Sequence, residues 1–369
     1  VTEQRGFDWV LLLVAVLLTA LGILMVVSIT SIQSLGSTGG IGFTPLRHMI
    51  NVAIAVVGLI VVAGLNPEMF FKYAVAIFVA GIVVLAAVDI PGIGHSSGGA
   101  RRWFNLGFMR IQPGEFAKLA FIIYLSRYIA KNEQHMRKLG IGLMIPLFLL
   151  IIVCILYLLE PDFGSSAVLM IVSLILLGLV CSASHLAVGA LLVATSFVTL
   201  ILLSPYRMKR VLSFMDPFAD SGASGYQLVQ SLIALGSGGL FGKGLGGSDQ
   251  KLFYLPAAQT DFIFAIIGEE FGFVGAVAVI LLYVLLFVRG LKIARSVKGN
   301  SFYYNLALGC TLLIFIPAVL NIGVVTGLLP TKGLVLPFVS YGGSALLANF
   351  LMLGILLRLS SEAPGRGRR

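Results

Sequence analysis

Residues 255–270 read LPAAQTDFIFAIIGEE and place three carboxylates on an apolar run. Asp261 stands at its lip, and Glu269 and Glu270 follow eight and nine positions further in. Ionisable groups inside hydrocarbon are costly and count as functional candidates by default. Asp261 closely follows Pro256, so the spacing predicts that it sits in the first turn of a helix, where the dipole favours an anion. Asp261 or Thr260 is expected to cap that helix. Partial desolvation there raises a carboxyl towards the range of a useful general base. Glu269 lies about 12 Å deeper along the axis. Glu269 and Glu270 point about 100° apart and cannot serve one site equally. Both are read as structural partners of buried cations such as Lys118.

A second constellation is GGARRWFNLGFMRIQPGEFAKL, residues 98–119. Arg101 and Arg102 beside Trp103 fit an interfacial anchor, since Trp and Arg favour that depth. They also fit phosphate recognition, for which the planar fork of arginine is suited. Glu115 and Lys118 are three apart on one helical face and can pair with each other. Other motifs carry less. Gly242, Gly244 and Gly247 satisfy GxGxxG, but the strand-turn-helix context that the motif needs is not evident in an outside-facing loop. They are read as places where backbone turns or approaches something closely. A Walker A match fails because Ser237 stands where the first glycine belongs. His48, His95, His135 and His185 share no metal-ligand spacing. Cys154, Cys181 and Cys310 behave as small hydrophobes in or at the end of apolar runs.

The elements that must hold these residues are membrane spans. The chain has 369 residues, 59% hydrophobic and only 11% charged, where a soluble domain is near a quarter charged. Its net charge of +10 follows from basic residues clustered between apolar runs, so no nucleic-acid partner is expected. Runs of about twenty residues recur near 9–29, 46–64, 70–89, 115–130, 141–159, 164–182, 184–204, 260–288, 302–325 and 339–358. The first is read as a retained helix rather than a signal peptide. The fourth, with Glu115 and Lys118, is expected to be re-entrant or buried among other helices. The fold class expected is therefore an all-α polytopic membrane protein, one integral membrane domain over residues 1–369. Fourteen basic residues in short segments, among them Lys72, Lys131, Arg289 and Arg358, put both termini in the cytoplasm by the positive-inside bias. The loop of residues 205–259, between the seventh and eighth helices, is then extracytoplasmic. Its SGYQLVQSLIALGSGGLFG reads as an amphipathic helix lying at the interface and ended by glycines.

Several long motifs in order resemble the SEDS family of shape, elongation, division and sporulation proteins, which are bacterial peptidoglycan polymerases. They are GGARRWFNLG with QPGEFAKL, EPDFGSS, YRMKRVLSFMDPF, LPAAQTDFIFAIIGEEFGFVG and LLPTKGLVLPFVSYGGSALLANF. The resemblance covers nearly the whole chain and is strongest to the division branch, with the elongation and sporulation branches as alternatives. It implies a glycosyltransferase of the cytoplasmic (inner) membrane, working at the division septum, that polymerises lipid II at the outer face. The donor would be a glycan linked to polyprenyl pyrophosphate. Asp261 would be the general base on the GlcNAc 4-hydroxyl. Arg101, Arg102, Lys118, Lys243, Lys332 and Glu115, with Arg207 and Arg210, would meet the sugar and pyrophosphate. Fixed arginines or a divalent cation, Mg or Mn, would stabilise the leaving group. Implied partners are a class B penicillin-binding protein transpeptidase, other division proteins and membrane lipids. Ala257 and Gln259 replace a glutamate and a histidine common in relatives, so the chemistry of this stretch falls to Asp261. Gly114 replaces a common serine. A lipid II flippase is the alternative from another class, and a scaffold for a transpeptidase is a third; a flippase needs a polar route through the middle of the membrane.

Overall fold

The computed structural model describes residues 6–35, 43–97, 100–105, 110–218, 225–251, 255–331 and 333–362. Twelve α-helices are present among them: α1 (Trp9–Leu35), α2 (Phe43–Gly64), α3 (Pro67–Ala87), α4 (Pro113–Lys131), α5 (Ile145–Leu159), α6 (Phe163–Gly178), α7 (Ala183–Leu202), α8 (Pro205–Met215), α9 (Tyr226–Ser237), α10 (Ile263–Ser296), α11 (Ser301–Val325) and α12 (Gly343–Glu362). Prolines start α3, α4, α5 and α8, where the missing N–H is no loss. Side-chain oxygens cap α3, α6 and α11: Asn66 accepts from the Glu68 N–H, Asp162 from Ser165 and Asn300 from Tyr303.

Among the described residues eight helices are long and apolar enough to cross a membrane, counting α5 together with the π-helical turn before it. They are α1, α2, α3, α5, α7, α10, α11 and α12. With α4 and α6, all ten spans read from the sequence are helices. The fourth, α4, is buried among α3, α11 and α12. Phe78 of α3 stacks on Tyr124 of α4 at 4.6 Å and meets Phe121 edge-on. Such packing supports a helix whose charges make it a poor span by hydropathy alone.

The eighth and tenth spans start later than their hydropathy suggests. Residues 255–262 and 333–342 form turns, and helix begins at Ile263 and Gly343. A small antiparallel sheet that the apolar pattern does not announce joins α3 to α4: β1 (His95–Ser97), β2 (Ala100–Asn105) and β3 (Arg110–Ile111), in that order. The helix α9 is present as expected, but it does not lie free at an interface. Ser231 donates to the Val325 carbonyl at 2.7 Å, and Leu235 lies against Gly268. Its apolar face is taken up by α10 and α11.

The helix α10 is broken. Gly272 has φ 68° and ψ −165°, a region only glycine adopts readily. The glycine-rich loop after α9 supplies what the break removes. Lys243 and Gly244 N–H groups donate to the Glu269 and Glu270 carbonyls at 2.9 and 3.0 Å. Phe273 and Val274 donate to the Gly239 and Leu240 carbonyls at 2.9 and 3.1 Å. Backbone groups at membrane depth must be paired within the protein, so loop and helix complete one another. At the far end of the bundle, the Arg289 guanidinium donates to both Asp8 carboxylate oxygens, at 2.6 Å for the shortest bond. The start of α1 is thereby tied to the latter half of α10.

A Cβ on Gly272 would stand 2.3 Å from the Gly242 nitrogen. Gly272→Ala is therefore expected to cost more than the 1–3 kcal/mol of the strained backbone alone. Gly236→Ala, in a helical position with open space around it, should leave stability unchanged or raised. Thermal unfolding of the detergent-solubilised variants, followed by size-exclusion, checks both.

Candidate functional site

Alternation of helix direction brings the sheet, the α5–α6 turn and residues 255–262 and 333–342 to one end of the bundle. A strand sends successive side chains to opposite faces, so Arg101 and Arg102 of β2 diverge. Arg101 donates to the Asp89 carbonyl, just past α3, at 2.9 Å. Arg102 donates through Nε and Nη2 to the Glu160 and Pro161 carbonyls, just past α5, at 2.6 and 2.5 Å. Both guanidiniums thus serve carbonyls at helix C-terminal ends, where a cation is favoured. The interfacial-anchor reading accounts for their depth but not for these bonds.

The turn bearing Asp261 is fastened to the 333–342 segment. Ser340 donates to the Thr260 carbonyl at 2.5 Å, and the Tyr341 N–H to that of Gln259 at 2.9 Å. Asn321 of α11 donates at once to the Asp261 and Leu334 carbonyls, at 2.7 and 2.6 Å. The expected cap is corrected here. Phe262 occupies the N-cap of α10 and no side chain caps it, while the Thr260 hydroxyl turns back to the Ala257 carbonyl. Local turn bonds around Ala257, which has φ 57°, hold Asp261 before the helix and leave its carboxyl facing a cavity.

That cavity, about 270 Å³, is lined by Asp261 with Arg102, Trp103, Gln112, Glu115, Lys118 and Asp162. Lys118 and Glu115 pair at 2.8 Å, both largely buried. Gly333 passes the carboxyl closely, since a Cβ there would stand 3.0 Å from Asp261 Oδ2. Burial pushes the Asp261 carboxyl up to about 6; the Thr260 hydroxyl, Arg210 and Arg102 pull it down, and Asp162 adds to the rise. A base of that strength is ionised at neutral pH yet willing to take a proton.

Not every candidate residue meets there. Arg101 does not line the cavity. Arg207 stacks over the Phe163 ring and donates to the Leu200 carbonyl. Arg210 reaches the Thr331 carbonyl at 3.3 Å. Lys332 lies outside the described residues. Among the described residues no three His, Cys, Asp or Glu side chains form a set that could hold a metal, so an Mg or Mn ion here would need oxygens of a bound substrate beside the cavity carboxylates.

Lys243 pairs with Glu269 at 2.8 Å and Asp249 at 2.7 Å, away from the cavity. Glu269 also accepts from Ser248 and Ser237. Lys251, fully buried, pairs with Glu270 at 2.7 Å and donates to Ser28 of α1. The two glutamates are therefore structural partners of cations, as their depth implied, but those cations are Lys243 and Lys251 rather than Lys118. Lys118 is taken by Glu115 on its own helix. No local periodicity could have named loop lysines about twenty residues away.

With the geometry in hand, comparison with known proteins decides the family. Residues 8–364 match the cell cycle protein family of FtsW, RodA and SpoVE, the SEDS family. The chain belongs to this family. A SEDS relative from Coxiella burnetii, named probable peptidoglycan glycosyltransferase FtsW, is 41% identical over 98% of both chains. One of the same name from Trichlorobacter lovleyi is 40% identical over 96% of this chain and 93% of its own. Among solved structures, a chain of a peptidoglycan synthase complex superposes with a TM-score of 0.80 at 28% identity, over 97% of this chain and 98% of that one. The rod shape determining protein RodA of Thermus thermophilus gives 0.70 at 26%, over 97% of each. The SEDS fold is thus that of an all-helical multi-pass membrane protein, and the division branch expected from the motifs agrees with the FtsW names of the relatives.

Breaking a fully buried ion pair from one side strands a charge and costs about 3–5 kcal/mol. Lys251→Met should therefore lower the unfolding temperature sharply. Lys251→Met with Glu270→Gln should recover much of that loss. A double-mutant cycle on purified protein measures the coupling, and equal destabilisation by the single and double variants would argue against it.

Proposed function

We propose that this chain is a peptidoglycan glycosyltransferase that polymerises lipid II at the outer face of the bacterial cytoplasmic membrane. The observation that carries the reading is the cavity, which brings the Asp261 carboxyl, raised by burial, together with Arg102 and Lys118. The names of its relatives supply the reaction class. The positive-inside bias turns the cavity end outward, because the short basic segments lie at the other end.

Asp261 takes the proton of the GlcNAc 4-hydroxyl as its oxygen attacks the anomeric carbon of the growing strand. The bond from that carbon to polyprenyl pyrophosphate breaks on the opposite side, giving inversion. Negative charge gathers on the departing pyrophosphate, where Arg102 and Lys118 stabilise it in a largely dry site. Glu115 orients Lys118. Inversion needs no enzyme nucleophile, so one base suffices. A transpeptidase of the class B penicillin-binding type is the proposed partner, supported by the similarity to a chain of a peptidoglycan synthase complex. Work at the septum is proposed on the FtsW names of the relatives.

Purified protein with its cognate transpeptidase should extend lipid II into glycan strands. Asp261→Asn should reduce the rate about 100-fold or more without lowering the unfolding temperature. Because the base works ionised and its carboxyl titrates near pH 6, the wild-type rate should fall about tenfold per unit below that pH and level off as pH approaches 7. Full polymerisation by Asp261→Asn would overturn the base, and lipid II transport without polymerisation would overturn the enzyme.

A further inference from the structure

Glu160 has no place in the chemistry above, and its position is unusual. It follows α5 directly, is fully buried, and neither carboxyl oxygen has a hydrogen-bond partner among the described residues. Its own backbone carbonyl accepts from Arg102 Nε at 2.6 Å. The carboxyl therefore lies within a side chain's length of a guanidinium it does not bind. The groups facing it come from every neighbouring element: Asp89 beyond α3, Arg102 of β2, Tyr157 of α5 and Asp162 at the start of α6. Tyr157 is occupied with the Gly114 carbonyl at 2.6 Å, and Asp162 with Ser165. Asp89 Oδ2 is itself buried and has no partner among the described residues. A buried carboxylate with no donor and two acidic neighbours is strongly disfavoured.

We propose that Glu160 is a positioning residue for Arg102: neutral, it leaves the guanidinium to the diphosphate of a lipid-linked sugar, and ionised, it draws the guanidinium away. Among the described residues Arg102 is held by two carbonyls and by no ion pair, so its charge acts on the cavity it lines, where it already lowers the Asp261 carboxyl. An ion pair with Glu160 would neutralise that charge and turn the fork from the cavity. Burial, with Asp162 and Asp89 adding and Arg102 opposing, pushes the Glu160 carboxyl up to about 8. The neutral form therefore prevails at pH 7 and is lost as pH rises through that value. A diphosphate disfavours a second negative charge beside it, so its affinity is full below the titration and falls above it.

The inference rests on the diphosphate reading of the cavity, and the experiment separates the two. Binding of farnesyl diphosphate, the probe, is measured on the full-length protein in detergent between pH 7 and 9. The wild type should weaken about tenfold over that window, while Glu160→Gln, which cannot ionise, should bind equally throughout. Asp89→Asn, which removes one of the charges opposing ionisation, should keep the decline but move it to lower pH, and it carries the test if Glu160→Gln does not fold. A decline unaltered in Glu160→Gln, or an unshifted one in Asp89→Asn, overturns the role of Glu160 and leaves the cavity reading standing. Binding that is indifferent to pH in the wild type does the same. No binding by the wild type at either pH, or equal binding by Arg102→Gln, overturns the cavity reading and the inference together.

Discussion

A helix that opens its backbone within a membrane must have its freed groups paired by protein, and in α10 that requirement organises the cavity end of the bundle. The break at Gly272 hands four hydrogen bonds to the loop of residues 239–244. Once the loop is docked there, Lys243 and Lys251 come to Glu269 and Glu270, and Lys251 adds α1 through Ser28. The turn carrying Asp261 leads into this same anchored helix. Neither loop nor helix would be satisfied alone, since polar backbone groups left open in hydrocarbon cost several kcal/mol each.

Charge in the site follows a different rule from charge in the scaffold. The carboxylates of Glu269 and Glu270 meet ammonium groups and serines. Around the cavity, pairing is withheld. Arg102 is met by carbonyls, Asp261 is held through its backbone, and Glu160 has no partner among the described residues. Saturated groups stabilise, whereas unsaturated ones keep interaction strength for a ligand. Lys118 and Glu115 stand between these cases, paired with each other yet lining the cavity.

The sequence made the ten spans and the special position of Asp261 legible, because hydropathy and the cost of buried carboxylates are local signals. The Glu115–Lys118 pair was legible for the same reason, being a matter of spacing on one helix. The partners of Glu269 and Glu270 were not, since they depend on how a distant loop crosses α10. Gly272 read as one glycine among several in an apolar run, and its break is visible only against Gly242. The sheet of β1 to β3 was hidden because its pairing, unlike a span, leaves no apolar stretch. For Asp261, the proline and threonine nearby suggested a cap, but the turn around Ala257 uses those bonds before the helix starts. Glu160 gave one signal, a carboxylate between two apolar runs, and only the packing of four elements around it shows it to be enclosed.

The tie between Asp8 and Arg289 gains a second meaning beside that between Ser28 and Glu270. The two anchor points on α1 are separated by about 30 Å of helix, close to the thickness of the hydrocarbon layer. Pinned at both ends, α1 and α10 cannot slide along one another, so the pair has a fixed gauge length. In a thinner or thicker bilayer this pair can tilt only as a unit, and the lipid must deform to meet it. The rest of the bundle is left to absorb the mismatch, above all the sparsely packed α7.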